Sequence, residues 1–305
     1  ALRSHAVGFG SSLTLTDLTD PANPVHGSLN TGPGGGAAAI APLGGERFLV
    51  GNAGGLSVVR KAGAAPAVEG TLTTLRPIQS VKVVGSLAVV TYGNPTRSWA
   101  VVDVSDPAAP VAVFTEARGA NALAIATWEA AGGPYLAICD GLGRLDRYRL
   151  ADPSAPAALG ASLPVGCHDL LAAEERLYAL DLNRGVTVWA QPYEDPQRAG
   201  DLLPEGRRLV GVHAGHLWTS DVRLASLPVH RDARRFVGAN TSAFPDLRGI
   251  AVSGDWLFGY DWVDGVYAID VAVPPAPVVQ PRLLAGAGGA YGLATDAGLL
   301  AVALA

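Results

Sequence analysis

Short apolar stretches with polar residues at alternate positions recur along the whole chain, and turn signals separate them. Residues 247–252, for example, lead through the turn 253–255 into the apolar stretch 256–261. The same pattern returns at 81–92, 169–181 and 209–221. Such alternation predicts half-buried β-strands joined by tight turns, and no unit has helical periodicity or helix caps. The pattern therefore predicts an all-β protein.

A turn motif follows the third strand of each unit. The clearest copy is VVDVSDPAAPV at 101–111, and similar copies occupy 15–25, 148–157 and 268–278. Degraded copies lie at 58–68, 186–198 and 224–234. Asp17 and Asp270 hold the same place in the motif and lie 253 positions apart, which is six steps of about 42 residues. A repeat of this length is typical of four-stranded propeller blades.

The motif has a direct physical interpretation. Its Asp side chains can bond nearby backbone N–H groups and start a turn. The Pro of Asp-Pro fixes φ and cannot donate to a strand ladder, so the third strand ends there. The second Pro stands at the first position of the outer strand, where a missing N–H is tolerated. Each unit thus supplies four strands, named a to d from the inside outward.

The two ends of the chain predict how the units close. The first residues supply only strands c and d, at 13–17 and 25–29, and the last supply only a and b, at 292–295 and 299–305. Together they complete one blade and close the ring, which removes exposed sheet edges. The sequence therefore predicts a single seven-bladed β-propeller domain over residues 1–305, with four-stranded antiparallel blades.

The motif resembles that of the LVIVD-repeat β-propellers, which carry one copy in each blade, and the likeness covers nearly the whole chain. Residues 103–110 follow the family pattern closely, whereas the units that end near Ala190 and His230 depart from it. The resemblance implies the propeller fold and an extracytoplasmic location. It implies no catalytic residue, because the family generally lacks an assigned activity.

Composition narrows the choice of partner. The chain has a net charge of −5 and lacks the clustered Lys and Arg that a nucleic-acid partner requires. No apolar run approaches the roughly 20 residues that span a bilayer, so no transmembrane segment is predicted. The chain begins at Ala1 and has no Met, which fits a secreted, periplasmic or cell-surface protein whose signal has been removed.

Polar residues recur at the mouth of the predicted channel. Strand a begins at the aligned positions Gln79, Asn121, His168, Arg208, Arg248 and Tyr291. Strand b ends on the same face, at Asp140, Asp181, Asp221 and Asp261. One interpretation is a ligand site, in which Arg208 and Arg248 bind an anion and His168 acts as an acid or base. The other is structural: the Asp residues bond turn amides and pair with the Arg residues, and their recurrence favours this interpretation.

No cofactor is implied by the sequence. Four carboxylates around one mouth could hold Ca²⁺, whose ligands are oxygens, if they converged on one point. His213 and His216 could share a metal ion, but no further ligand lies near them in the sequence. No metal site is therefore predicted.

The two cysteines fall on the mouth face of adjacent blades. Cys139 stands beside Asp140 at the end of one strand b, and Cys167 stands beside His168 at the start of the next strand a. A disulfide between them is geometrically plausible and would imply an oxidising compartment. The alternative is two buried thiols, which are common in apolar strands.

Two classes of function stay open. The first is a non-enzymatic extracytoplasmic binding or scaffold propeller that holds a protein, glycan or small-anion partner at the channel mouth or rim. The alternative is a propeller-type hydrolase or lyase, which would need the mouth residues to converge on one pocket. Aromatic residues could add stacking surface, although most are expected in blade cores: Trp128, Trp218, Trp256, Tyr260, Trp262 and Tyr291.

Overall fold

The fold is taken from a computed structural model with side chains. It describes residues 12–17, 25–30, 39–62, 65–74, 76–93, 98–117, 122–140, 143–165, 167–181, 185–190, 197–202, 208–213, 216–220, 224–228, 239–241, 249–261, 265–273, 278–280, 283–285, 290–296 and 299–304.

Strands account for all the regular structure in these ranges. They are β1 Ser12–Asp17, β2 Val25–Asn30, β3 Ala39–Gly44, β4 Arg47–Asn52, β5 Gly55–Ala62, β6 Ala65–Thr73, β7 Ile78–Val84, β8 Leu87–Tyr92, β9 Ser98–Asp103, β10 Val111–Ala117, β11 Ala122–Ala130, β12 Gly133–Asp140, β13 Leu145–Arg149, β14 Ala157–Ala158, β15 Asp169–Ala173, β16 Arg176–Asp181, β17 Gly185–Ala190, β18 Gln197–Leu202, β19 Arg208–His213, β20 His216–Ser220, β21 Leu224–Pro228, β22 Ala239–Thr241, β23 Gly249–Ser253, β24 Trp256–Asp261, β25 Gly265–Asp270, β26 Val278–Val279, β27 Leu284–Ala285, β28 Ala290–Asp296 and β29 Leu299–Leu304.

These strands form seven antiparallel sheets, each of which is one blade. Blades 1 to 6 follow the chain: β3–β6, β7–β10, β11–β14, β15–β18, β19–β22 and β23–β27. Blade 7 contains both ends of the described chain, in the order β2-β1-β29-β28. Neighbouring innermost strands contact one another from β3 through β7, β11, β15, β19 and β23 to β28, and β28 contacts β3. The sheets therefore close into a ring, and the predicted propeller class is confirmed.

Blade 7 closes the ring through the pairing of β1 with β29. The register joins Leu13 to Ala303 and Leu15 to Ala301, directly across the two strands. Leu13, Leu15 and Ala301 are buried against blade 1. The predicted closure, with strands c and d from the beginning of the chain and a and b from its end, is confirmed.

Blade 6 departs from the predicted four strands because its outer strand is broken. β26 pairs with Ile269 and Asp270 of β25, while β27 pairs with Gly265 and Val266 of the same strand. Six sheets have four strands and this one has five. Both short strands lie on one edge of β25, so together they occupy the place of one strand d.

The hydrophobic core lies between blades. One cluster joins Leu49 and Val58 of blade 1 to Val81 and Val90 of blade 2. A second joins blades 3 and 4, and others join blades 2 and 3, 4 and 5, 6 and 7, and 7 and 1. Each fully buried Val or Leu contributes about 1.5–3 kcal/mol, so the interfaces between blades hold the ring together.

The Asp-Pro motif forms the c–d turns as predicted. Asp103 Oδ1 accepts a hydrogen bond from the backbone N–H of Ser105 at 2.9 Å, and Asp106 Oδ1 accepts one from Ala108 at 3.0 Å. Asp270 accepts the corresponding bond from Ala272 in blade 6 at 3.0 Å. The bond from the Ser105 backbone lowers the pKa of Asp103, because it favours the charged carboxylate.

Blade 1 solves the same turn differently. Arg60 takes the register position of Asp103, since Lys61 N–H donates to the preceding a–b turn as Val104 N–H does in blade 2. A bulge on β6 displaces Glu69 from the ladder. Its carboxylate lies 2.8 Å from Arg60 Nε and 2.6 Å from Arg47 Nε. In the degraded motif of blade 1, the Glu69 carboxylate therefore balances the charge of the arginine that replaces Asp.

Candidate functional site

The mouth face is defined here as the end of the ring where strands a begin and strands b end. Ile78, the first residue of β7, pairs with Tyr92, the last residue of β8. Ala122, the first residue of β11, likewise pairs with Asp140, the last residue of β12. The starts of a and the ends of b therefore share one face, as the antiparallel order requires.

A β-bulge sets the first residues of strand a on this face. The register of β7 skips Gln79, and the register of β28 skips Tyr291 at the equivalent place. In β11 the skipped residue is Leu123, and in β19 it is Val210. The predicted alignment of Asn121 and Arg208 with Gln79 is therefore displaced by two positions, and Asn121 itself lies outside the described residues. Bulges turn a side chain away from the ladder, and Gln79 is exposed accordingly.

His168 is exposed on the mouth face and its neighbour Asp169 braces two blades. The Asp169 carboxylate accepts hydrogen bonds from the backbone N–H of Leu170 at 2.9 Å and of Leu209, in blade 5, at 2.8 Å. Sequence reasoning missed Asp169. The available signal was a charged residue at the first position of an otherwise apolar strand. No described carboxylate is hydrogen-bonded to the imidazole of His168.

The carboxylate of Asp140 organises its own b–c turn. Asp140 is buried, and its Oδ2 accepts hydrogen bonds from Arg144 Nε at 3.0 Å and Nη2 at 2.8 Å. Its Oδ1 accepts one from the Arg144 backbone N–H at 3.1 Å. Asn52 does the same in blade 1, where Oδ1 accepts from Gly54 at 2.7 Å and Gly55 at 3.0 Å. At Asp140 the bond to a turn amide is the role that the structural interpretation gives these carboxylates, but the paired arginine is Arg144 of the same turn and not a strand-a arginine.

For the remaining predicted mouth residues the structure gives mainly the backbone position, and two of them lie outside the described residues. Arg208 begins β19, Asp181 ends β16 half-buried, and Asp261 ends β24. Arg248 and Asp221 lie outside the described residues. An anion clamp between Arg208 and Arg248 therefore stays a prediction.

A second group on the mouth face centres on Arg76, which the sequence alone did not single out. Its Nη1 donates to the hydroxyl of Ser98 at 2.7 Å, and Ser98 is only 1% exposed. Thr74 Oγ1 donates to the Arg76 carbonyl at 2.7 Å and holds the backbone in place. Tyr92 pairs with Ser98 across the strands. Burial raises the pKa of Tyr92, and the charge of Arg76 opposes that shift.

The two cysteines form a disulfide between blades 3 and 4, as predicted. Cys139 lies in β12 and Cys167 lies just before β15, with Cα atoms 5.9 Å apart. This separation is within the usual range for disulfide-bonded residues. Both residues are buried among Ala137, Leu145 and Leu177. The bond therefore reinforces an apolar interface and is shielded from solvent.

The structure describes the side chains of three of the six aromatic residues that the sequence singled out. Trp128 and Trp256 are half-buried and Tyr260 is buried, so these aromatics belong to the blades. Trp218, Trp262 and Tyr291 have no described side chain.

In the described ranges no three His, Cys, Asp or Glu side chains are grouped so as to hold a metal ion. The same ranges contain no helix with the length and apolar character needed to cross a membrane.

Comparison with known proteins supports the fold. No protein-family model matches the chain, and no curated protein does. BamB from Moraxella catarrhalis is similar in structure, with a TM-score of 0.58 at 11% identity, over 100% of this chain and 94% of BamB. Sqt1 from Saccharomyces cerevisiae has a TM-score of 0.60 at 11% identity, over 86% of this chain and 78% of the Sqt1 chain. Likeness at this identity indicates the β-propeller class alone.

Proposed function

We propose that this protein is a non-enzymatic propeller that acts as a scaffold outside the cytoplasm and holds a protein partner at the mouth face. The observation that carries the proposal is that the carboxylates of Asp140 and Asp169, on that face, accept hydrogen bonds from groups of the protein itself. Their oxygens bond Arg144 and backbone amides, which stiffens the ring. Gln79, His168 and Arg144 are exposed beside them. A rigid face with exposed polar side chains suits the binding of another protein surface.

The extracytoplasmic location is supported by the disulfide between Cys139 and Cys167. Disulfides persist in oxidising compartments and are rare where glutathione and thioredoxin keep thiols reduced. Secretion, to the periplasm, the cell surface or the medium, is the corresponding proposal. Membership of the LVIVD-repeat propellers is a further proposal, which the motif at 101–111 supports.

A glycan or a small anion held at the same mouth face is the alternative partner in this proposal. The enzyme alternative would need a carboxylate that orients His168 as an acid or base. The adjacent Asp169 instead accepts hydrogen bonds from Leu170 and Leu209. No observation on the described residues favours a hydrolase or lyase over a scaffold.

Site-specific photo-crosslinking in the native host tests the scaffold proposal. A photoreactive amino acid would replace Gln79 or His168 on the mouth face, with Glu175 as the matched control. Glu175 is exposed in the a–b turn between β15 and β16, at the opposite end of the ring. We expect one discrete protein adduct from the two mouth positions and none from Glu175. Adducts that are absent at the mouth, or equal at all three positions, would contradict the proposal.

A further inference from the structure

One segment, from the outer strand of blade 1 to the third strand of blade 2, differs in charge from the rest of the chain. The protein as a whole carries a net charge of −5, yet no Asp or Glu occurs from Gly70 to Val102. The same segment contains Arg76, Lys82 and Arg97. Among the described side chains, Arg76 is half-buried on the mouth face and Lys82 is exposed on the innermost strand.

Among the described residues, the guanidinium of Arg76 is held in place without a countercharge. Its one described side-chain bond is to the neutral hydroxyl of Ser98, and no described carboxylate forms an ion pair with it. Three other arginines differ in this respect, because Arg144 pairs with Asp140 and Arg47 shares Glu69 with a second arginine. Arg76 is therefore a fixed positive charge whose remaining N–H groups can bond a ligand.

The groups around Arg76 favour an anionic ligand. Ser98 is buried and accepts a bond from Arg76, so it orients the guanidinium from within the blade. The carboxamide of Gln79 is exposed on the same face, next to Gly93. A guanidinium with its orientation fixed binds a carboxylate through two parallel N–H···O bonds. Arg76 and Gln79 thus supply donors on this face, and the described part of this group has no negatively charged acceptor.

We infer that Arg76, with Ser98 and Gln79, forms a carboxylate-binding subsite on blade 2 that recognises an acidic segment of the protein partner. This inference rests on the proposed scaffold function and gives the chemistry of the partner. The stretch 70–102 complements such a segment, because it contains Arg76, Lys82 and Arg97 and no Asp or Glu.

A defined acidic peptide tests the subsite. Hexaglutamate would be titrated into the purified protein at physiological salt and followed by isothermal calorimetry and by NMR of the Arg76 and Ser98 signals. Saturable binding is expected for the native protein, with at least about tenfold weaker binding for Arg76→Gln, since hydrogen bonds to charged groups are lost. Arg76→Lys should fall between the two, because it keeps the charge and loses the planar fork.

Arg149→Gln is the matched control for net charge. Arg149 is exposed and ends β13 away from the mouth, where its Nε donates to the Gly132 carbonyl at 2.7 Å. Its loss should change hexaglutamate affinity less than about twofold, because surface charges are screened at this salt concentration. Unchanged thermal melting of Arg76→Gln establishes that the variant is folded.

Two results would overturn the subsite. One is equal weakening by Arg76→Gln and Arg149→Gln, which would mean that hexaglutamate senses only net charge. The other is no saturable binding to the native protein. Either result combined with photo-adducts at His168, which lies outside the subsite, would leave the scaffold proposal standing and remove only the acidic partner. If photo-adducts are absent but hexaglutamate still binds, the subsite stands and the scaffold proposal is removed.

Discussion

Two interfaces between blades close the same gap in different ways. Between blades 1 and 2, Gly51 faces Ile78, and a Cβ atom added to Gly51 would lie 2.5 Å from Ile78 Cγ2. Between blades 3 and 4, Cys139 takes the register position of Gly51 and is joined covalently to Cys167, just before the next strand a. Both pairs link the end of a strand b to the start of the next strand a. One interface is filled by an aliphatic side chain over a glycine, and the other by a disulfide, so the repeated backbone tolerates unrelated side-chain solutions.

Removal of the disulfide should have the largest effect on stability. The cysteines are 28 residues apart, and the chain-entropy model assigns a loop of this size about 3–4 kcal/mol. Urea denaturation of Cys139→Ala/Cys167→Ala should show that loss relative to the native protein. The variant Cys139→Gly/Cys167→Ile, which copies the interface between blades 1 and 2, should recover part of it. Identical midpoints for native and Ala variants would show that the covalent bond contributes nothing.

A side chain at Gly51 should produce the next largest effect. Gly51→Ala would force Ile78 or a strand to move, and overpacking of this kind costs about 1–3 kcal/mol. The control is the double variant Gly51→Ala/Ile78→Ala in a double-mutant cycle. A coupling energy near zero would mean that the two residues are not in contact.

The sequence predicts the blades well because the strands and turns of a blade depend on local sequence patterns. Alternating residues around Val81 and Val90, and the Asp-Pro turn at Asp106, depend on neighbours within a few positions. The cysteine pair was predictable because the repeat placed Cys139 and Cys167 at the ends of adjacent strands. These features need only the period of the chain and the antiparallel order.

The roles of single polar residues on the mouth face were not predictable in the same way. Asp169 bonds the backbone of Leu209 in the next blade, and Arg76 bonds Ser98 across a blade, so each partner depends on tertiary register. The misalignment of Asn121 and Arg208 has a similar cause, because the position of each bulge is fixed by pairing with strand b and not by the repeat period. The broken outer strand of blade 6 likewise follows from its irregular pairing with β25.

Threonine hydroxyls bridge two further interfaces, and their loss should have a smaller effect. Thr127 Oγ1 donates to the Val83 carbonyl at 2.9 Å, and Thr295 Oγ1 donates to the Val252 carbonyl at 3.0 Å. Thr127→Val or Thr295→Val should each reduce the free energy of unfolding by about 1 kcal/mol, measured in urea. Thr115→Val, on the exposed outer strand β10, is the control. A loss at Thr115 equal to that at Thr127 would argue against the bridging bonds.

The motif turns should give the smallest effect, and one confined to acid. Hydrogen bonds from the side chain and then the backbone of Ser154 lower the pKa of Asp152. A lowered folded-state pKa means that the stabilisation is present above the unfolded pKa and is lost as the pH falls through the folded value. Carboxyl-carbon NMR should show Asp152 titrating below 3.8, and Ser154→Ala should move it upward. Unchanged titration in Ser154→Ala would remove this role for the serine.

The central claim is that strands from both ends of the chain share one blade, which makes the ring and its mouth face possible. Interstrand nuclear Overhauser effects between β1 and β29 measure this directly. The structure predicts contacts in the register Leu13–Ala303, Thr14–Val302 and Leu15–Ala301. No contacts between these strands would contradict the closed ring, and contacts displaced by one residue along them would contradict its register.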